Sequence, residues 1–250
     1  MKKFVSMMAL ALSAAAASAA TVSLTGTVRD FSADGVNFEG AITGLRTGAV
    51  DSTLTGASPT LTASGATHIS NTGAGAFDNW FTKPTDTASH ALVLDETAPG
   101  SGIYTYSSSD FFPIDGALLG NEGNAHNYHF TYAIGASFGY VKGSAQTFSF
   151  LGDDDVWVYF DDLLGIDLGG VHGAAGQTVN LDTLFDAAGG RDSGNYSFDF
   201  FFAERHLSGS NLMITTSLLL TGSTVPEPGS LALAALALAG VFGLRRRRTV

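Results

Sequence analysis

Five consecutive residues, Val156 to Phe160 (VWVYF), leave no polar position in the middle of the chain. A β-strand points alternate side chains to opposite faces, so this run has to be covered on both. A central strand between apolar layers meets that demand. The surrounding sequence agrees. Gly, Ser, Thr, Asn and Asp punctuate it every few residues, and helical periodicity is nearly absent. Thr21 to Val28 (TVSLTGTV) alternates as a first strand, and Gln146 to Leu151 (QTFSFL) alternates around Phe148 and Phe150. Tyr196 to Ala203 and Leu212 to Leu220 read as two more, expected to pair as a hairpin across Glu204 to Asn211. One short helix is expected at Leu181 to Ala187. Asn180 is its N-cap, Leu181, Leu184 and Phe185 share a face, and Gly189-Gly190 stop it. Residues 41 to 75 read as loops with weak strands. The fold class is all-β, a sandwich or barrel with that one helix.

The two ends read as processing signals. Residues 1 to 19 carry Lys2 and Lys3, then an apolar stretch, then the small residues Ala17-Ser18-Ala19. That is the order of a secretory signal peptide, cut by signal peptidase after Ala19. At the other end Val225-Pro226-Glu227-Pro228 breaks the chain. An apolar helix is expected over Ser230 to Leu244, and Arg245 to Arg248 close it. Fifteen apolar residues are short of the ~20 that span a bilayer, though an Ala-rich helix with snorkelling arginines can manage. The arginines would stay cytoplasmic, leaving the domain outside. This tail, residues 225 to 250, resembles the PEP-CTERM sorting signal of Gram-negative bacteria. The resemblance implies a transient inner-membrane anchor, cleavage by an exosortase-type enzyme at the Val225 to Pro228 motif, and export to a surface matrix rich in exopolysaccharide. The domain between the signals is residues 20 to 224.

Lys2, Lys3 and Arg245 to Arg248 are half of the 12 basic residues, whereas the 23 acidic ones lie outside the signal peptide and the apolar tail. So acidic a domain has no basic footprint for nucleic acid. It suits an extracellular protein kept soluble by self-repulsion, or one that carries divalent cations. The chain has no cysteine, so it relies on its core without disulfides or thiolate metal sites.

Asp153, Asp154 and Asp155 run straight into the apolar strand, and Asp161 follows it. Burying like charges this close costs several kcal/mol unless a cation or hydrogen bonds compensate. Ca²⁺ takes six to eight hard oxygen ligands, so an Asp cluster at a loop–strand junction suits it. In a regular strand Asp153 and Asp155 would share one side and Asp154 the other, so joint chelation by Asp153 and Asp154 needs a bend, such as a cis peptide. An ion-free, solvated turn is the alternative reading. Asp115, Asn121 and Asn124 are further candidate donors. His126 and His129 would fall on opposite faces of a strand. His172 and His206 could approach one another. Glu204-Arg205 reads as an ion pair at a strand end. Trp157 and Tyr159 could stack on a sugar but read first as core. No GxSxG, HExxH, phosphate loop or complete EF-hand loop is present.

Gly26 to Phe31 (GTVRDF), Asn37 to Glu39 (NFE), Phe77 to Phe81 (FDNWF) and Phe111 to Asp115 (FFPID) are the first of a series of landmarks. His126 to Tyr132 (HNYHFTY), Gly152 to Asp162, Asp167 to Gly173 (DLGGVHG) and Phe201 to His206 (FFAERH) continue it. In this order they resemble the fibro-slime domain of secreted matrix and surface proteins, over roughly residues 24 to 220. That domain in turn resembles the protective-antigen-type β-sandwich, through Asp153-Asp154, the strand, Asp161, and Phe202-Ala203-Glu204-Arg205. In sugar-binding members the Asp pair holds a Ca²⁺ that contacts glycan hydroxyls. Here Asp155 stands where those members usually have Gly. The resemblance implies Asp153 and Asp154 as ligands, with Asp155 or Asp161 supporting.

Three functions are compatible with these readings. The first is a non-enzymatic matrix or adhesion protein binding exopolysaccharide or another glycan with Ca²⁺. The second is a purely structural matrix component. The third is a carbohydrate-active enzyme, which would need two carboxylates flanking a glycosidic bond.

Overall fold

The computed structural model describes residues 18–33, 37–38, 43–69 and 77–221. The apolar helix expected over 230–244 and most of the signal peptide lie outside these residues. The described residues form two short helices and eleven strands, all joined in antiparallel ladders. The strands are β1 (Thr21–Asp30), β2 (Thr87–Glu96), β3 (Tyr104–Ser108), β4 (Phe130–Tyr140) and β5 (Thr147–Gly152). After these come β6 (Asp155–Phe160), β7 (Leu163–Leu168), β8 (Ala175–Asn180), β9 (Gly194–Glu204), β10 (Leu212–Thr216) and β11 (Leu219–Thr221). Their order is β7-β6-β9-β4-β1-β2-β3-β10-β5-β8, with β11 paired to β4.

The two ends of this order, β7 and β8, come together, so the sheet nearly closes into a barrel. A side chain helps where the ladder stops. Gln177 of β8 accepts from Asp167 N–H at 2.8 Å and donates to Gly165 O at 3.3 Å, both on β7.

β6 is central as its composition requires, with β7 on one edge and β9 on the other, and all six of its residues are buried. Its two faces serve two cores. Val156, Val158 and Phe160 join Phe198, Phe200 and Phe202 of β9 inside the barrel. Trp157 and Tyr159 join Phe201 and Ala203 on the outside, beneath Phe38, Val50, Leu54, Ile69, Phe77, Trp80 and Phe81. The Thr- and Gly-rich segment is thus a cover for the second core. Bridges Arg46–Gly169, Thr43–Val171 and Thr53–Leu163 tie it to β7 and the turn that follows. Within it lies the short helix α1 (Ala63–His68), where loops with weak strands are expected from the sequence. Thr62 caps it, its hydroxyl accepting from Gly65 N–H at 3.0 Å.

The strands at Thr21, Gln146, Val156 and Tyr196 form within two or three residues of their expected bounds. The expected hairpin does not form. β10 pairs with β3 and β5, whereas β4 and β6 occupy both edges of β9. The stretch Leu212 to Leu220 also splits, at Ser217 and Leu218, into β10 and β11. β10 keeps one exposed face, with the pattern BeBeB, and so suits the other side of the barrel.

The helix expected after Asn180 is present as α2 (Leu181–Ala187). Asn180 Oδ1 accepts from Thr183 N–H at 3.1 Å, Leu181 and Phe185 are buried, and Gly189 and Gly190 take positive φ past its end. Asn180→Ala should cost about 1 kcal/mol in urea unfolding, and Asn180→Asp little, because an N-cap oxygen is retained. Equal losses in the two variants would show that the cap is not what holds this helix.

Candidate functional site

Between β5 and β6 the chain turns through Asp153 and Asp154, and the peptide joining them is cis. The turn sits against residue 211 at the start of β10. A Cβ on Gly152 would stand 2.1 Å from Asn211 O, so only glycine lets the two segments approach this closely. Asp153 is then tied to Asn211 three times. Its N–H donates to Asn211 O at 3.2 Å. Its carboxylate accepts from Asn211 N–H at 2.6 Å and from Asn211 Nδ2 at 2.9 Å. Asp154 accepts from His172 N–H at 2.9 Å and Arg205 N–H at 3.2 Å, gathering the β7–β8 turn and the end of β9.

Asp155 is the first residue of β6 and faces the outer core. One carboxylate oxygen accepts from Gly170 N–H. The other stands 2.7 Å from Arg205 Nε, a close charge contact rather than an aligned hydrogen bond. Both residues are fully buried. Arg205 also donates through Nη1 to Asn37 O at 3.1 Å and Ile69 O at 3.2 Å, and its guanidinium lies 5.1 Å from the Trp80 ring centre. The sequence reading paired Arg205 with Glu204. The structure pairs it with Asp155, because neighbours in a strand point to opposite faces.

Glu204 takes the other face. The register sets Asp155 opposite Ala203 and Val156 opposite Phe202, which brings Asp154 opposite Glu204. Glu204 is 1 % exposed, and neither carboxylate oxygen has an aligned donor among the described residues. Burial pushes its pKa well above the usual carboxylate range, and the charge of Asp154 pushes it further. The nearby Ser210 hydroxyl lowers it somewhat. Burial likewise raises the Asp154 pKa to about 8, helped by Asp155 and only partly opposed by the His172 N–H and Arg205. Ser210 Oγ, His172 Nε2 and His206 Nε2 are buried and unpartnered among the described residues. Four buried carboxylates therefore share a single arginine. They divide into Asp155 with Arg205 on the outer face and Asp153, Asp154 and Glu204 at the barrel rim.

Asp161, the fourth residue expected here, lies at the opposite end of β6. It has positive φ, and its carboxylate is 2.5 Å from Arg191 Nε. Asp115, Asn121 and the histidines before β4 serve their own loop. Asp115 accepts from Asn127 N–H at 2.7 Å and lies 2.6 Å from His126 Nδ1, and Asn121 accepts from Gly116 N–H at 2.7 Å. Asn124 N–H donates to Asn121 O at 2.8 Å. His129 is buried 3.2 Å from Glu122. His172 donates its own N–H to Asp154, and His206 follows Arg205, whose N–H donates to the same carboxylate. Trp157 and Tyr159 are fully buried and present no face to a sugar. Among the described residues, no three His, Asp or Glu side chains converge as they stand to hold a metal ion. The unpartnered carboxylate of Glu204 is the feature that fits a hard cation beside Asp153 and Asp154.

The fold and this rim define an all-β domain with an acidic cluster buried at one end. Residues 224–248 match the PEP-CTERM protein-sorting motif, which implies bacterial export, sorting to a membrane-associated or surface location and processing by an exosortase-type enzyme. Among curated proteins the chain is similar to several from Dictyostelium discoideum. It is 48 % identical to protein psiC over 157 residues, which is 58 % of this chain and 29 % of that protein. For protein psiD the identity is 46 % over 144 residues, 54 % of this chain and 27 % of that protein. For protein psiQ it is 39 % over 153 residues, 56 % and 15 %. The chain thus spans less than a third of the length of each. A solved GH31 α-xylosidase from Xanthomonas citri aligns over 52 % of this chain and 14 % of its own at 8 % identity, and its TM-score of 0.26 carries no argument. Among the described residues no helix is long and apolar enough to cross a membrane.

Asp154 and Glu204 set a pH dependence. Their folded pKa values lie above the unfolded ones, so their contribution is fully present below about pH 4 and lost as pH rises through the folded values. In EDTA, the melting temperature should therefore fall from about pH 4 to pH 8. Glu204→Gln should flatten the decline. A melting temperature that rises over this range and is unchanged in shape by Glu204→Gln would contradict the assignment.

Proposed function

We propose that the chain is a non-enzymatic matrix protein of Gram-negative bacteria whose β-barrel binds polysaccharide with the help of Ca²⁺. In this reading the tail anchors it briefly in the inner membrane before an exosortase releases it at Val225 to Pro228. The observation that carries the reading is the buried excess of negative charge at the barrel rim. Asp153, Asp154 and Glu204 face it, and Arg205 is already engaged by Asp155. Leaving carboxylates ionised there without a counter-charge is costly. Asp153, Asp154 and Glu204 would hold the ion. Bound Ca²⁺ supplies positive charge and further coordination positions that sugar hydroxyls can fill. The protein's own contribution is to fix the turns at 152–155, 170–173 and 205–211, which meet at Asp153 and Asp154 through hydrogen bonds. Asp155 supports the site from behind by holding Arg205, and Asp161 takes no part. The resemblance to the fibro-slime domain and to sugar-binding relatives of the protective-antigen-type sandwich supports the same assignment. We propose binding rather than catalysis, because the ion occupies the carboxylates that a glycosidase would need free.

Ca²⁺ binding to the folded state alone adds RT ln(1 + [L]/Kd), about 2.7 kcal/mol at a hundredfold excess over Kd. Millimolar Ca²⁺ should therefore raise the melting temperature, EDTA should reverse the shift, and Asp154→Asn should abolish most of it. Retention on immobilised exopolysaccharide should need Ca²⁺ and release no reducing sugar. If melting ignores both additives, the rim is protonated rather than metal-bound, and a purely structural matrix role takes precedence.

The tail gives a separate test. The intact mass of the cell-associated protein from an exosortase-bearing host should lack Arg245 to Arg248. Steady-state recovery of chains ending at Val250 would contradict the processing step.

A further inference from the structure

The same end of the barrel carries a second polar feature. Arg46 lies in the cover segment, and its backbone pairs with Gly169. Arg46 N–H donates to Gly169 O at 2.6 Å, and Gly169 N–H donates back at 2.9 Å. Gly170 and His172, one and three residues further along, donate to Asp155 and Asp154. A short run of backbone thus joins Arg46 to the acidic rim.

The Arg46 side chain borders a pocket of about 280 Å³ with Leu45, Thr47, Ala49, Ser64 and Gly65. The pocket is built by a close approach. A Cβ on Gly65 would lie 1.8 Å from Ala49 O, so only glycine lets α1 sit this near the 46–49 segment. Thr62 clamps the same junction, its hydroxyl donating to Gly48 O at 2.7 Å. Asp167 Oδ2 accepts from Gly48 N–H at 2.6 Å at the same junction.

The Arg46 side chain makes no hydrogen bond or ion pair with a described residue, and its Nε is buried without a partner. The other basic residues of the described domain all have acceptors. Arg29 donates to Lys83 O, Lys83 pairs with Asp86, Lys142 with Asp192, Arg191 with Asp161 and Arg205 with Asp155. Arg46 is thus the basic side chain of the described domain for which no described residue supplies an acceptor. A buried donor without an acceptor is unfavourable, and the Arg46 guanidinium borders an open pocket where an acceptor from outside fits.

We infer that this pocket takes the carboxylate of a uronic acid, so that the polysaccharide bound at the rim is an acidic one. A planar guanidinium matches a carboxylate through two parallel N–H···O bonds. The Thr47 hydroxyl suits a ring hydroxyl of a sugar, and exposed Leu45 suits its C–H face. The strongly acidic domain repels such a polymer in general, so a local cation is needed wherever it docks. The choice of a sugar acid over a free oxyanion rests on the polysaccharide reading above.

The test uses the full chain and follows the Arg46 Nε–H signal by ¹H–¹⁵N NMR. The probes are methyl glucuronide, methyl glucoside and sodium sulfate, first in EDTA and then in Ca²⁺. The glucuronide should shift the signal and bind at least tenfold more tightly than the glucoside, already in EDTA. Arg46→Gln should remove that difference without changing the melting temperature. Thr47→Val should weaken glucuronide binding, a second check should Arg46→Gln fail to fold. Equal binding of glucuronide and glucoside, or no binding of either, overturns the inference. Sulfate binding as tightly as the glucuronide overturns the sugar assignment. The polysaccharide reading is judged separately, by whether Ca²⁺-dependent retention on exopolysaccharide is lost in Asp154→Asn.

Discussion

The buried contact between Asp155 and Arg205 organises the site end of this protein. Both side chains are fully enclosed, and they meet at 2.7 Å between the first residue of β6 and the residue just past β9. Arg205 reaches outward from there to the carbonyls of Asn37 and Ile69 and the face of Trp80. It thereby fastens the cover segment over Trp157, Tyr159 and Phe201. Removing either partner would leave a lone charge in an apolar layer, a cost of several kcal/mol. The contact also consumes the arginine. With Arg205 turned to the outer face, no basic side chain of the described residues pairs with Asp153, Asp154 or Glu204, and the charge of Arg205 only partly offsets Asp154.

That division explains how three adjacent aspartates can precede a wholly apolar strand. They do not act together. Asp153 fixes β10 through Asn211, Asp154 gathers the turns at His172 and Arg205, and Asp155 neutralises Arg205. Hydrogen bonds from backbone N–H groups stabilise the first two without cancelling their charge. Glu204, one residue from Arg205 yet on the opposite face, has neither a backbone N–H donor nor a paired cation among the described residues, and only the nearby Ser210 hydroxyl eases its burial. Protons or a divalent cation must make up the difference, and the oxygen-rich, cysteine-free donor set suits Ca²⁺.

Much of the fold was legible because its causes are local. VWVYF could only be a central strand. Asn180, with apolar residues at 181, 184 and 185 and two following glycines, was enough to place α2. Where the pattern failed, the cause was non-local. Nothing in Leu212 to Leu220 says that both edges of β9 are already taken, so the hairpin with β9 was a reasonable expectation that the topology overrides. The segment 41–75 looked like loop because its order comes from bridges to β7 and the following turn and from the apolar layer beneath it. The Asp cluster was visible, but its membership was not. Asp161 looked equivalent to the others, although the five extended residues Val156 to Phe160 separate it from Asp155. Glu204 was visible within the Glu-Arg pair, and strand alternation alone, applied to residues 203 to 205, would have sent it to the face opposite Arg205.

The central claim is that a cation, not protons, balances Asp153, Asp154 and Glu204 at physiological pH. Native mass spectrometry of protein purified without added metal or chelator addresses it directly. The account predicts one tightly held calcium per folded chain, absent from a Glu204→Gln, Asp154→Asn double variant that remains folded. A folded wild-type chain at its metal-free mass, unchanged after exposure to millimolar Ca²⁺, would contradict it.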